Sequence, residues 1–135
     1  MTARVAQDPF VRCGDIDTEA AVEEMVRCFY RAVAQDDLLG PVFNDVAHVD
    51  WAEHLPRLTA FWCRVLFGTP GYEGNAILAH ARIHERHRFT DEHFRRWLDI
   101  FDETIGLGWA GPYCDKAISF AHHVARSHAR RLGAL

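Results

Sequence analysis

The chain has no apolar run near the roughly 18 residues that cross a membrane, so no segment reads as a transmembrane helix. Residues 1–10 carry Asp8 and Pro9 and lack the apolar core of a secretory signal. No CxxC pair is present, and the four cysteines, Cys13, Cys28, Cys63 and Cys114, lie far apart. These absences lead to the expectation of a cytoplasmic protein with reduced thiols. Cys28 and Cys63 fall inside apolar helical stretches, where a cysteine is usually a small core residue. Basic charge is not in surplus: the formal net charge is −4 with neutral histidines. Without a strongly basic face, nucleic acid is not an expected partner. There is also no internal repeat, low-complexity tract, linker or strand-like alternation of apolar and polar residues.

What is present is enough for one real core. The chain has 135 residues, 49% hydrophobic and 25% charged, an ordinary soluble composition for a single domain. Residues 1–14 read as an irregular lead-in and 15–135 as the domain. Two counts stand out: nine histidines, and aromatics at 12% of the chain. A helical core requires neither in such number, whereas a flat aromatic cofactor would use both.

Apolar residues recur at helical spacing throughout. A first helix is expected from about Asp17, as cap, to Ala34, with Val22, Met25, Val26, Phe29, Tyr30 and Val33 on one face. Gly40-Pro41 breaks the pattern, and Phe43 follows in a turn. A second helix starts near Asp50, which forms a capping pair with Glu53. It carries Trp51, Leu55, Leu58, Phe61, Trp62, Val65 and Leu66, and Gly68 ends it. Pro56 is expected to distort its early turns. A turn-rich loop, 69–75, leads to a short helix over 76–83, then to a polar stretch, 84–89. Thr90 caps a helix running to Ile105, with Phe94, Trp97, Leu98, Phe101 and Ile105 on its inner face. Pro112 opens the last helix, with Tyr113, Ala117, Phe120, Ala121, Val124 and His128 turned inward. The fold class is all-α. The short helix with His80 is too brief to be stable alone, so packing or a metal bond must hold it.

Several side chains could carry chemistry. Tyr30 lies on an apolar stripe, and a buried hydroxyl without a partner costs roughly 1–3 kcal/mol. The Trp97 indole N–H likewise needs an acceptor. Either requirement could be met by an ordinary backbone partner. Trp62 reads as plain core by itself, and His54 as a partly exposed neighbour of the inner face. His80 and His84, at i and i+4, could share a metal, but no further ligand is placed with them for zinc. Arg82, Arg86 and Arg88 read as a solvated loop, and His122 and His123 as structural or surface residues.

In combination these segments resemble the group III truncated haemoglobins, a bacterial branch of the globins, from about Ile16 to Leu132. The resemblance is carried by Cys28-Phe29-Tyr30, by Asp37-Leu38-Leu39-Gly40-Pro41-Val42-Phe43 and by Trp51-Ala52-Glu53-His54. It continues through Ala60-Phe61-Trp62 with Val65-Leu66, through Tyr72-Glu73-Gly74-Asn75 leading to His80, and through His93-Phe94-Arg95-Arg96-Trp97-Leu98 with Phe101. It implies a truncated globin fold, a two-on-two helical sandwich around haem b (iron protoporphyrin IX). By the same resemblance His80 is the axial iron ligand, and Tyr30 and Trp97 are the distal hydrogen-bond donors. His54 borders the ligand entry, and Phe43 packs flat on the porphyrin. Leu58, Phe61 and Trp62 line the distal side, and Arg57 is a candidate for a haem propionate. The stretch from His80 to the Trp97 helix is longer than is usual in the family, and a register shift would bring His84 to the iron instead.

The resemblance implies binding of O2, NO, CO or similar small ligands. One axial histidine leaves the opposite face of the iron open, and donors aimed at a ligand that gains negative charge slow its release. Slow release suits redox chemistry on O2, NO or peroxide better than bulk oxygen transport. The alternatives are a haem peroxidase or NO dioxygenase served by a separate reductase, a helical interaction module whose aromatics are only core, and a zinc protein.

Overall fold

The computed structural model describes residues 14–46, 50–70 and 90–131. The short helix expected over 76–83, with His80, His84 and His87, lies outside the described residues. Among those described, the chain is helical throughout: α1 is Glu19–Gln35, α2 is Trp51–Phe67, α3 is Asp91–Gly108 and α4 is Pro112–Arg131. A π-helical turn, Val42–Val46, precedes α2.

α1 buries Val22, Met25, Val26, Phe29, Tyr30 and Val33, the face that its periodicity lays out. Its cap is Thr18, not Asp17: the Thr18 hydroxyl accepts from the Ala21 N–H at 3.1 Å, a three-residue reach that fits one orphan donor of the first turn. α2 begins at Asp50, whose carboxylate accepts from Ala52 N–H at 3.1 Å, and ends at Gly68 in the left-handed conformation. Pro56 does not break it. The lost bond would have reached the Ala52 carbonyl, and Ala52 is exposed, so water can take its place.

α3 starts after Thr90, as its sequence suggests, but its first turn is held by a residue that suggests nothing. Nδ1 of the buried His93 accepts from Thr90 N–H at 3.0 Å, the place a glutamate takes in a capping box. The helix then runs past Ile105 to Gly108. In α4 the buried face is Cys114, Ala117, Ala121, Ala125 and Ala129, while Tyr113, Phe120, Val124 and His128 are half-buried. The expected face is rotated because small residues let α4 approach closely while its larger ones lie along the sides. Burial and the nearby Asp15 push the Cys114 thiol up to about 12, so it packs as a neutral core residue.

The start of α4 is capped from far away in sequence. Asp15 accepts from the Tyr113 and Cys114 N–H groups at 2.8 and 2.9 Å. Gly111, at φ 145, lies so close that a Cβ there would collide with the Asp15 carboxyl. Burial pushes the Asp15 pKa up, but the bonds from Tyr113, Cys114 and Ile16 outweigh it and leave it below the usual carboxylate value.

α1 packs on α2 and α3, and α4 on α2 and α3. Two helix pairs face one another across a core of Ile16, Val22, Met25, Phe29, Trp62, Phe101 and Ile105. No described helix is long and apolar enough to cross a membrane.

Candidate functional site

Neighbouring positions on α1 face different surroundings. Phe29 points into the core, edge-on to Trp97 and Phe101, each with ring centres 5.0 Å away. Tyr30 turns toward the π-helical turn and α2. Its ring lies 6.5 Å from Phe43, 5.7 Å from Trp51 and 6.4 Å from His54. Phe43 and Trp51 stack at 6.1 Å, and Trp51 meets His54 at 5.9 Å.

Phe43 was expected in a turn after the Gly40-Pro41 break. The chain instead coils on, with Gly40 and Pro41 helical and the π-helical turn directly after them. Pro41 tolerates this at the start of a helical segment, where its missing N–H has no partner to serve. Gly40 permits it by close approach: a Cβ there would stand 2.8 Å from the Ala34 carbonyl oxygen. That carbonyl accepts from Asn44 Nδ2 at 2.9 Å, and Asn44 Oδ1 accepts the Trp51 indole N–H at 3.3 Å. One amide thus ties the end of α1 to the start of α2 and sets the plane of Trp51.

Tyr30 is 7% exposed. Burial pushes its pKa well up, and a hydrogen bond from Trp97 opposes part of that rise. An indole can only donate, so the Trp97 N–H is the side of that ring which favours the ionised Tyr30 oxygen. Among the described residues no acceptor takes the Tyr30 hydroxyl proton. A buried donor without an acceptor costs roughly 1–3 kcal/mol, which makes it the clearest mark of a missing ligand in the described part of the chain.

The other expected residues fall into two groups. His54 and Leu58 are half-buried on α2, with His54 in the Tyr30 cluster. Phe61 packs against Trp62 and Phe120. Trp62 is 2% exposed and stacks on Phe101 at 5.1 Å, inside the core. Arg57 is exposed and 3.7 Å from Glu53. The structure therefore brings together Tyr30, Trp97, Phe43 and His54, leaves Trp62 in the core, and holds Arg57 at the surface. Trp51 and Asn44 belong to the cluster and were not singled out from the sequence. Trp51 is one of the apolar positions of its helix, but nothing in the sequence pairs it with Asn44.

Flat apolar and aromatic faces with one buried hydroxyl proton to give fit the distal side of a haem. Among the described residues no group of three or more His, Cys, Asp or Glu side chains is placed to hold a metal ion.

Comparison with known proteins finds truncated hemoglobins. Over 92 residues, 66% of the chain and 70% of the relative, the sequence is 28% identical to the group 3 truncated hemoglobin ctb of Campylobacter jejuni. The crystal structure of a group III truncated hemoglobin from Campylobacter jejuni matches with a TM-score of 0.76 at 25% identity, over 87% of the chain and 94% of that structure. The structure of Chlamydomonas reinhardtii THB1 matches with a TM-score of 0.61 at 30% identity, over 87% and 90%. No protein-family model matches the chain.

Proposed function

We infer the function from one premise: the chain belongs to the truncated haemoglobins, and two of the proteins it is similar to are of the group III kind. The reading is a haem b protein that binds O2 or a similar diatomic ligand and releases it slowly, with His80 as the axial iron ligand. The observation that carries it is the buried Tyr30 hydroxyl, which accepts from Trp97 and keeps its own proton to donate.

Haem supplies an iron with one face open to a small ligand when the opposite face is held by a single histidine. The chain's part is to shape what that ligand meets. Trp97 fixes the Tyr30 oxygen, so the Tyr30 proton has one direction left. Burial raises the pKa of the hydroxyl, so it is a donor at neutral pH. A hydrogen bond to a charged partner contributes about 1.5–3 kcal/mol, which is roughly tenfold to a hundredfold in an equilibrium. Phe43 and Trp51 exclude water from the same space, which strengthens the bond. His54, beside Tyr30 on α2, borders the route by which a ligand enters. Arg57, exposed on the next turn, is free to exchange Glu53 for a haem propionate at the surface.

Slow release favours redox chemistry on O2, NO or peroxide over transport. Reducing equivalents for such chemistry would come from a reductase. A cytoplasmic setting completes the reading, with Cys28, Cys63 and Cys114 as free thiols.

The test is an absorption spectrum of the haem-loaded protein and of His80→Ala, ferric, ferrous and with carbon monoxide. A Soret band that is lost in the variant, or restored to it by imidazole, is the expected result. An unchanged spectrum in the variant moves the axial ligand to His84, and no haem band in either protein removes the haem reading.

A further inference from the structure

The contact that sets Tyr30's direction lies between α1 and α3, and that interface is otherwise apolar. Phe29 meets Trp97 and Phe101 edge-on, and Trp97 stacks on Phe101 with planes 3° apart. Such packing holds helices together but is not directional, so it does not by itself fix α3 along or about its axis to the precision that a hydrogen bond requires.

One directional contact is present beside it. Arg96 immediately precedes Trp97, and its guanidinium reaches Oδ1 of Asp36, at 2.7 Å from Nε and 2.6 Å from Nη2. Asp36 is the C-cap of α1, less than two turns from Tyr30. Its other oxygen, Oδ2, accepts the Leu38 and Leu39 N–H groups at 3.1 and 3.0 Å, opening the turn that leads to Phe43. The carboxylate side chain is 4% exposed, whereas Arg96 is 52% exposed. Surface ion pairs usually contribute little. This carboxylate is buried, and it accepts from the turn that follows α1 and from α3 at once.

We propose that Asp36 and Arg96 are positioning residues for the Trp97 indole. The pair pins the first half of α3 to the end of α1, one residue from Trp97, and so sets where the indole stands against Phe29, Phe101 and the neighbouring Tyr30. Asp36 ties the Phe43 turn to the same point, which keeps the aromatic wall in register with the donor. The consequence for a bound ligand rests on the haem reading above. The geometric part does not, because the Arg96–Asp36 pair and the ring contacts of Trp97 are present in the chain itself.

The experiment follows the Trp97 indole N–H by NMR, identified by its loss in Trp97→Phe, in the chain with and without haem. Arg96→Gln is the main variant and Asp36→Asn the second, because Asn retains an acceptor for Leu38 and Leu39. Arg96 is half-exposed, so Arg96→Gln should fold; should it fail to, Asp36→Asn supplies the same readout. The expected result is a shifted indole signal and faster exchange of its proton with solvent in both variants, with partial return in Arg96→Lys. In the haem-loaded protein, Arg96→Gln should raise the oxygen release rate severalfold and move the carbon monoxide stretching frequency, and neither should change further when Trp97→Phe is already present. An indole signal that stays at its original position in a folded Arg96→Gln overturns the proposal, as does an effect on release that is just as large in the Trp97→Phe background. A chain that takes no haem would remove the functional reading while the NMR result still decides whether the pair positions Trp97.

Discussion

Two aromatic groups meet back to back on α1, and they use the same residue types to opposite ends. The group around Phe29 contains Phe101, Trp62, Phe61 and Phe120, rings that meet ring against ring, with Phe29, Phe101 and Trp62 buried and Phe61 and Phe120 at the margin. The group around Tyr30 contains Phe43, Trp51 and His54, and every member except Phe43 has a polar edge. In the first group, packing completes the contacts. In the second, polar edges are paired in turn, Trp51 with Asn44 and Trp97 with Tyr30, until the Tyr30 proton is left over. Trp97 belongs to both groups: its face stacks on Phe101 and its N–H serves Tyr30. The lesson is that one shared ring lets the packing of a core also set the place of polar groups on its flank.

The comparison is sharpest if each group is broken separately. Phe101→Ala empties the centre of the first group and should cost about 3–5 kcal/mol of stability, measured by urea unfolding with haem absent. Tyr30→Phe should leave that unfolding curve nearly in place, because its ring stays. It should raise the oxygen dissociation rate of the haem-loaded protein roughly tenfold to a hundredfold, read by stopped flow. An unchanged rate would take Tyr30 out of the donor role.

Acid should act on the helix ties before it acts on either aromatic group. Burial pushes the Asp36 carboxyl up, but Arg96 and the Leu39 and Leu38 N–H groups outweigh it, and its pKa lies below the usual value, as that of Asp15 does. A lowered folded pKa means that the unfolded chain binds the proton more readily. The stabilisation is therefore in place above about pH 4, the unfolded value, and is lost as pH falls through the lower folded values. Asp15→Ala should cost about 1.5–3 kcal/mol near neutral pH and flatten the acid limb of a stability–pH profile. An acid limb as steep as the unmutated chain's would place that dependence elsewhere. The smallest effect is expected for Asn44→Ala, about 1 kcal/mol. It should also alter the environment of Trp51, visible as a change in near-ultraviolet circular dichroism that Phe101→Ala does not mimic once folding is allowed for.

Much of this was legible in the order of residues. The buried face of α1 follows from apolar residues at helical spacing, and Asp50, Gly68 and Thr90 mark helix ends because each satisfies a local backbone need. Tyr30 could be singled out because a hydroxyl on an apolar stripe must find a partner. Local signals failed where two short-range solutions compete. Thr18 caps α1 although Asp17 beside it has the same chemistry, and the coil through Gly40-Pro41 depends on the approach to Ala34. The inner face of α4 was misplaced for a different reason. Hydrophobicity ranks Phe120 and Tyr113 above alanine, but the space between helices selected the smaller side chains.

The all-helical fold is written in the sequence itself, since spacing, caps and turn residues act within a few positions of one another, and the family is legible there only as a resemblance. What only the tertiary structure decided are the contacts whose partners are remote in the chain. Arg96 meets Asp36 across 60 positions, Asp15 caps α4 from 98 positions away, and the Trp97 N–H finds the Tyr30 oxygen from another helix. Periodicity says which side of a helix faces inward. The partner of a directional bond depends on how two helices are set against each other, and that is settled only when the whole core closes.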